Sequence, residues 1–245
     1  MQKFAVELWH FVLNPQPVYQ SEKSSAKNNI SVIYSALGLY FVAGFLLYLP
    51  VNGINKLVDY FFSVDLFKVR DKNMTHSLVG TNALLIVALI GPMVEEMLFR
   101  LWLVLNKTNL FISSTLIFWY VINRINHYSI YSGKINERFF YNIVIALVIA
   151  ATLFFVSNFF NLKNIFKKNF RWFYWGSSIL FGLIHILNFS PINYSIIWFY
   201  PFFILPQLFL GFILGFLRIK SGFYWALLLH CLVNLPGAIH LFSKL

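Results

Sequence analysis

Hydrophobic positions in this chain come in long runs bounded by charges or turn residues, with little of the alternation that marks a half-buried strand. A helix needs about 20 apolar residues to cross the hydrocarbon core of a bilayer. Seven stretches approach that length: Ile30–Val51, Leu78–Leu105, Leu110–Asn123, Phe139–Phe160, Phe173–Phe189, Ile196–Ile219 and Phe223–Leu241, the third and fifth being short. Between the first two, Val58–Phe67 sets Asp59 and Asp65 among aromatics, which suits a re-entrant or surface segment or part of an eighth crossing. The pattern predicts an all-α fold over residues 30–245, a polytopic transmembrane helical bundle with seven or eight membrane helices. Residues 1–29 read as an N-terminal interfacial or cytoplasmic segment. Phe4, Leu8, Phe11 and Val12 share one helical face, while Glu7 and His10 interrupt the apolar run and no small-residue cleavage site follows.

Composition strengthens this reading. Of 245 residues 59% are hydrophobic and only 11% charged, against roughly 25% charged in soluble domains, and the mean hydropathy is +0.70. The 29 phenylalanines suit lipid, and the 13 tyrosines and 7 tryptophans suit the membrane interfaces. A formal net charge of +11 would suggest nucleic acid in a soluble chain; in a membrane chain it meets anionic headgroups, so membrane lipid is expected as a partner and nucleic acid is not. Basic residues divide almost evenly between the two sides of a seven-crossing topology, Arg218 and Lys220 counting among the loop charges, and the cluster Lys163–Arg171 is the best marker of a cytoplasmic loop. The single cysteine, Cys231, excludes an internal disulfide.

The informative residues are the charges inside the apolar runs. Gly91-Pro92-Met93-Val94-Glu95-Glu96-Met97-Leu98-Phe99-Arg100 places two of the five glutamates and an arginine within one crossing, where each charge costs about 2.5–3.5 kcal/mol on insertion scales. Glu96 and Arg100 are one turn apart and can pair, whereas Glu95 points about 100° away and is left free. A carboxylate without a partner in such a site suits a general base. The plainer alternative is a buried polar cluster that only holds helices together. His185 and His230 lie in two other apolar runs, and Asn234 follows His230 by one turn, so the two could present donors to one point, as an oxyanion site requires. Gly211 and Gly215 form a G-x-x-x-G pair suited to close packing. Ser177 and Ser178 read as contacts between helices, and Gln207 either faces a cavity or bonds a neighbour.

No H-E-x-x-H zinc-protease motif, transmembrane aspartate pair or rhomboid G-x-S-G occurs, so the hydrolytic chemistry left is a Glu/His pair activating water. A proton-coupled transporter or channel could use the same cluster, and a haem on His185 and His230 would leave the glutamates unexplained.

Glu95-Glu96-x-x-x-Arg100, then Phe181-x-x-x-His185, then His230-x-x-x-Asn234 resembles the three motifs of the CPBP family, the CAAX protease and bacteriocin-processing (Abi) enzymes. Pro92, Phe99, Ser177, Ser178, Gln207, Gly211, Gly215, Arg218, Lys220 and Gly222 match around them; Leu101 stands where the family often has glycine. The resemblance implies an intramembrane endopeptidase domain with its motif core over 91–234. It implies that Glu95 and His185 activate water, His230 and Asn234 hold the oxyanion, and Glu96 and Arg100 support them. The implied substrate is a membrane-delivered peptide or protein, lipidated or not, and the implied setting a bacterial plasma membrane. A metal-free mechanism without cofactor is favoured, the alternative being zinc on Glu95, His185 and His230.

Overall fold

The computed structural model describes residues 1–17, 26–77, 84–126, 137–157 and 161–243, and all regular structure among them is helical. α1 (Gln2–Leu13) is followed by the 37-residue α2 (Ala26–Phe62) and by α3 (Leu66–Ser77). A π-helical turn, Ile86–Ile90, leads into α4 (Gly91–Phe99), which ends in a 3-10 turn, Leu101–Leu103. α5 (Lys107–Ile125) and α6 (Glu137–Ser157) pair as a hairpin. The short α7 (Leu162–Lys168) precedes α8 (Phe170–Ile184) and a 3-10 turn, His185–Phe189. A further 3-10 turn, Tyr194–Phe199, and α9 (Tyr200–Phe203) lead to α10 (Leu205–Lys220) and α11 (Phe223–Phe242).

Helices α2, α6 and α11 are long and apolar enough to cross a membrane, and the bent pair Tyr194–Phe203 with Leu205–Lys220, meeting at 45°, makes a fourth if taken as one broken span. Apolar side chains on α2 and α6 point outward, with Phe45 73% and Val148 60% exposed. In water such rows would be aggregation surfaces; against lipid tails they incur no penalty. This is an integral membrane protein.

Seven or eight spans were expected from the hydrophobic runs, and the described helices supply three or four. Local chemistry accounts for the difference. In the run Leu78–Leu105, Pro92 has no N–H to continue an α-helical ladder, and the backbone widens so that the Gly91 N–H reaches back five residues to the Ile86 carbonyl. A Cβ on Gly91 would sit 2.8 Å from that same oxygen. The run then breaks again at Arg100, and residues 78–83 lie outside the described residues, as do 158–160 at the end of the fourth run. α5 carries Lys107, Arg124 and several amides and hydroxyls, α8 stops after 15 residues, and the sixth run is bent. Val58–Phe67 proves to be the end of α2 and the start of α3, joined at a corner where Asn55 accepts from the Leu66 N–H (2.9 Å) and donates to Asp65 (3.0 Å).

The core that carries the site is built from α8 and α10, packed antiparallel through small residues. A Cβ on Gly211 would lie 2.7 Å from the Ser178 carbonyl, and one on Gly215 would lie 2.8 Å from the Tyr174 ring. The G-x-x-x-G pair is therefore a packing device, as expected. The apolar face of α1 is buried in protein: Phe4, Leu8 and Phe11 are only 4–5% exposed, with Phe11 against Phe216 and Tyr174 at ring-centroid distances of 5.0 and 5.1 Å. Burying each such side chain is worth about 1.5–3 kcal/mol relative to water. Trp175 Nε1 donates to the Val12 carbonyl (2.8 Å), and Lys220 pairs with Glu7.

Candidate active site

α4 delivers the charges. It is one of the shorter helices, and the carbonyls at its C-terminal end would be orphaned in an apolar medium. Three other elements satisfy them. Ser113 of α5 donates to the Met97 carbonyl (2.8 Å), and Ser177 of α8 donates to that of Phe99 (2.5 Å). Arg218 of α10 donates through Nε to Arg100 O and through Nη2 to Leu101 O, both at 3.1 Å. The helix is thus fixed from three sides, and its carboxylates with it.

Glu96 and Arg100 are both wholly buried, with Arg100 Nη1 3.3 Å from Glu96 Oε1. The same Glu96 oxygen lies 2.9 Å from His230 Nδ1 on α11. Beside the arginine, Glu96 is ionised and accepts, so Nδ1 carries the proton. The other ring nitrogen of His230, Nε2, faces Glu95 Oε2 at 3.6 Å, a separation that charges feel but a hydrogen bond does not span. His230 therefore stands between two adjacent glutamates, one fully buried and one with 26% of its side chain exposed.

His185 ends α8. Its Nδ1 lies 2.7 Å from the Phe181 carbonyl; a carbonyl can only accept, so Nδ1 donates and the neutral ring keeps a lone pair on Nε2. Phe181, wholly buried, joins these groups. Its ring lies 4.9 Å from that of His185 and 5.5 Å from that of His230. Arg100 Cζ stacks on its face at 3.8 Å, a cation–π contact that offsets part of the cost of burying the guanidinium. Asn234 is one turn beyond His230, but its Nδ2 donates to the Val87 carbonyl of the π-turn (3.1 Å). One N–H of its amide remains for another acceptor. In this conformation His230 and Asn234 are engaged separately, where the sequence suggested two donors at one point.

The carbonyl and side-chain bonds thus gather Glu95, Glu96, Arg100, His185 and His230 around Phe181, with Asn234 along α11. A family model described as Rce1-like, type II CAAX prenyl endopeptidase Rce1-like, matches residues 79–236. The chain belongs to the Rce1-like family. The match takes in all seven of these residues and leaves α1, α2 and α3 outside it. Membership implies a protease with a protein or peptide substrate in a membrane. No curated protein and no solved structure matches the chain.

Within this Rce1-like core, two residues matter more than their sequence context suggested. Phe181 figures in the sequence only as the first residue of the motif that ends at His185, with no role of its own. Arg218 counts there as a loop cation and as a match beside the motifs, without a role; it is only 8% exposed and caps the glutamate helix. The signal was available, since a buried arginine in an apolar run calls for carbonyl or carboxylate partners, as the glutamates did. Ser177 and Ser178 do link helices, the latter donating to Tyr174 O (3.0 Å) and Gly211 O (3.2 Å). Among the described residues no three His, Cys, Asp or Glu side chains are grouped as metal ligands, while the bond from His230 Nδ1 to Glu96 leaves Nε2 of that ring uncommitted.

Proposed function

We propose that the protein is an intramembrane endopeptidase that hydrolyses a peptide bond in a membrane-delivered, lipidated protein or peptide, using water activated by Glu95 and His185. The observation that carries this reading is His230 held between Glu96 at 2.9 Å and Glu95 at 3.6 Å inside an apolar bundle. Glu95 is the carboxylate not committed to Arg100, and His185 keeps a lone pair on Nε2. A water between them loses a proton to Glu95 as its oxygen bonds to the scissile carbonyl carbon. The oxyanion that forms takes a hydrogen bond from the second N–H of Asn234 and one from Nε2–H of His230 when that ring is protonated. Glu96 stabilises that protonated ring from the other side. The C–N bond then breaks, and the proton held by Glu95 passes to the departing amine.

No step needs a metal. The proposed setting is a bacterial plasma membrane, with the α4 segment and the shorter helices α5 and α8 adding to the three long spans and the bent pair to give seven crossings. The test uses purified protein in detergent with a prenylated peptide ending in a CAAX sequence. Glu95→Ala and His185→Ala should each lower cleavage by about 100-fold or more, and a chelator should leave wild-type activity intact. Equal cleavage by either variant would sink the assignment of that residue, and loss of activity on chelation, restored by zinc, would overturn the metal-free route.

A further inference from the structure

Most of the polar groups facing the α8–α10 interface are accounted for; Gln207 is not. Its Oε1 is shielded from solvent and has no hydrogen-bond partner. Gln207 is the third residue of α10, where glutamine often reaches back to the N-cap N–H, but here the N-cap Ile204 receives no such bond and the oxygen is left over. An unsatisfied buried acceptor is expensive to keep, and no described residue uses this one.

Register places it. Along α10, Gly215, Gly211 and Gln207 are successive turns of one face. Gly215 meets Tyr174 and Gly211 meets Ser178 and Phe181, while Gly182 packs against Leu208. The helices run antiparallel, so Gln207 stands level with Gly182, one turn beyond the residues that the glycines touch and about one turn before His185. The space over Gly182 itself is taken by the Leu208 side chain, which leaves the Gln207 oxygen beside it unengaged.

We propose that Gln207 is a substrate-binding residue, its side-chain carbonyl accepting a backbone N–H of the peptide and so fixing the chain beside His185. The chemistry selects the ligand: a buried acceptor wants a donor, and a peptide lying across the site offers one at each non-proline residue. This inference rests on the proposed endopeptidase reading, and deepens it by naming how the backbone is held.

The test is a set of prenylated peptides in which each non-scissile amide is replaced, one at a time, by an ester, which removes one N–H and keeps the shape. Wild type and Gln207→Leu are compared on all of them, with thermal unfolding to confirm that the variant folds. For one ester, wild type should lose about tenfold in kcat/KM; Gln207→Leu should show that loss already on the all-amide peptide and no further loss on the ester. If Gln207→Leu matches wild type on every peptide, or its penalty adds in full to every ester penalty, the inference is overturned while the endopeptidase reading stands. Absence of any wild-type cleavage would overturn both. Should Gln207→Leu fail to fold, Gln207→Glu and Gln207→Met are carried through the same peptides, and the ester coupling is read from them.

Discussion

Two regions of the bundle bury polar groups in different ways. In the α5–α6 hairpin the groups are neutral amides that satisfy each other: Asn142 donates to Asn123 (2.8 Å), Asn126 donates to Asn142 (2.8 Å), and Asn123 donates to the Trp119 carbonyl (2.7 Å). Apart from Trp119 Nε1, no buried side-chain polar atom described there lacks a partner. In the α4–α8–α10–α11 core the groups are charged and incompletely satisfied. Glu95 Oε2, Glu96 Oε2, the Arg100 guanidinium nitrogens and Gln207 Oε1 have no hydrogen-bond partner, although Arg100 and Glu96 are ion-paired. Both arrangements join helices where water is absent. The second keeps charged groups with capacity for something that arrives, whereas the hairpin leaves over only the indole N–H of Trp119, and that unspent charge separates a site from a staple.

The comparison can be broken most forcefully at Arg100. Arg100→Met leaves Glu96 charged and buried without its cation, and should destabilise the protein by about 3–5 kcal/mol, read from denaturant or thermal unfolding in detergent, with cleavage lost as well. A smaller change in stability would mean that His230 and Arg218 already neutralise Glu96. The hairpin should respond differently. Asn142→Leu should lower stability by about 0.6 kcal/mol and at most about 1.7, with cleavage by the folded fraction unchanged; a loss of activity larger than the loss of folded protein would join the hairpin to the site.

The weakest effect belongs to the α2–α3 corner, outside the membrane spans. Burial works against the charge of Asp65, but hydrogen bonds from Asn55 and from the Lys68 backbone, together with the Lys68 ammonium, outweigh it and hold the carboxyl below its ordinary range. A depressed folded-state value means that the stabilisation is present above the unfolded carboxylate value of about 3.9 and is lost as pH falls through the folded one. The unfolding midpoint of wild type should therefore exceed that of Asp65→Asn at neutral pH, and the gap should close as pH drops below about 4. A gap constant with pH would remove the charge from the explanation.

What the sequence made legible were violations of its own pattern. Glu95, Glu96 and Arg100 stand out because an apolar run has no other use for them, and the i,i+4 spacing fixes Glu96 with Arg100 and frees Glu95. His185 and His230 stand out for the same reason. Their partners did not, because a partner is a matter of which helices meet. That His230 reaches Glu96 across 134 residues, or Arg218 reaches the Arg100 carbonyl across 118, depends on how α11 and α10 pack against α4, which no local pattern in the sequence specifies. The number of spans was less legible, since hydropathy registers apolar length and does not see the π-turn at Ile86–Ile90 or the stop at Arg100, both of which come from backbone bonding.

The most direct test of the central claim is hydrolysis of a prenylated CAAX peptide in ¹⁸O-labelled water, with the new carboxyl terminus read by mass spectrometry for wild type and Glu95→Gln. Wild type should give labelled product, and a Glu95→Gln protein that unfolds at the same temperature should give about 100-fold less or none. Labelled product formed at the wild-type rate by Glu95→Gln would contradict the claim.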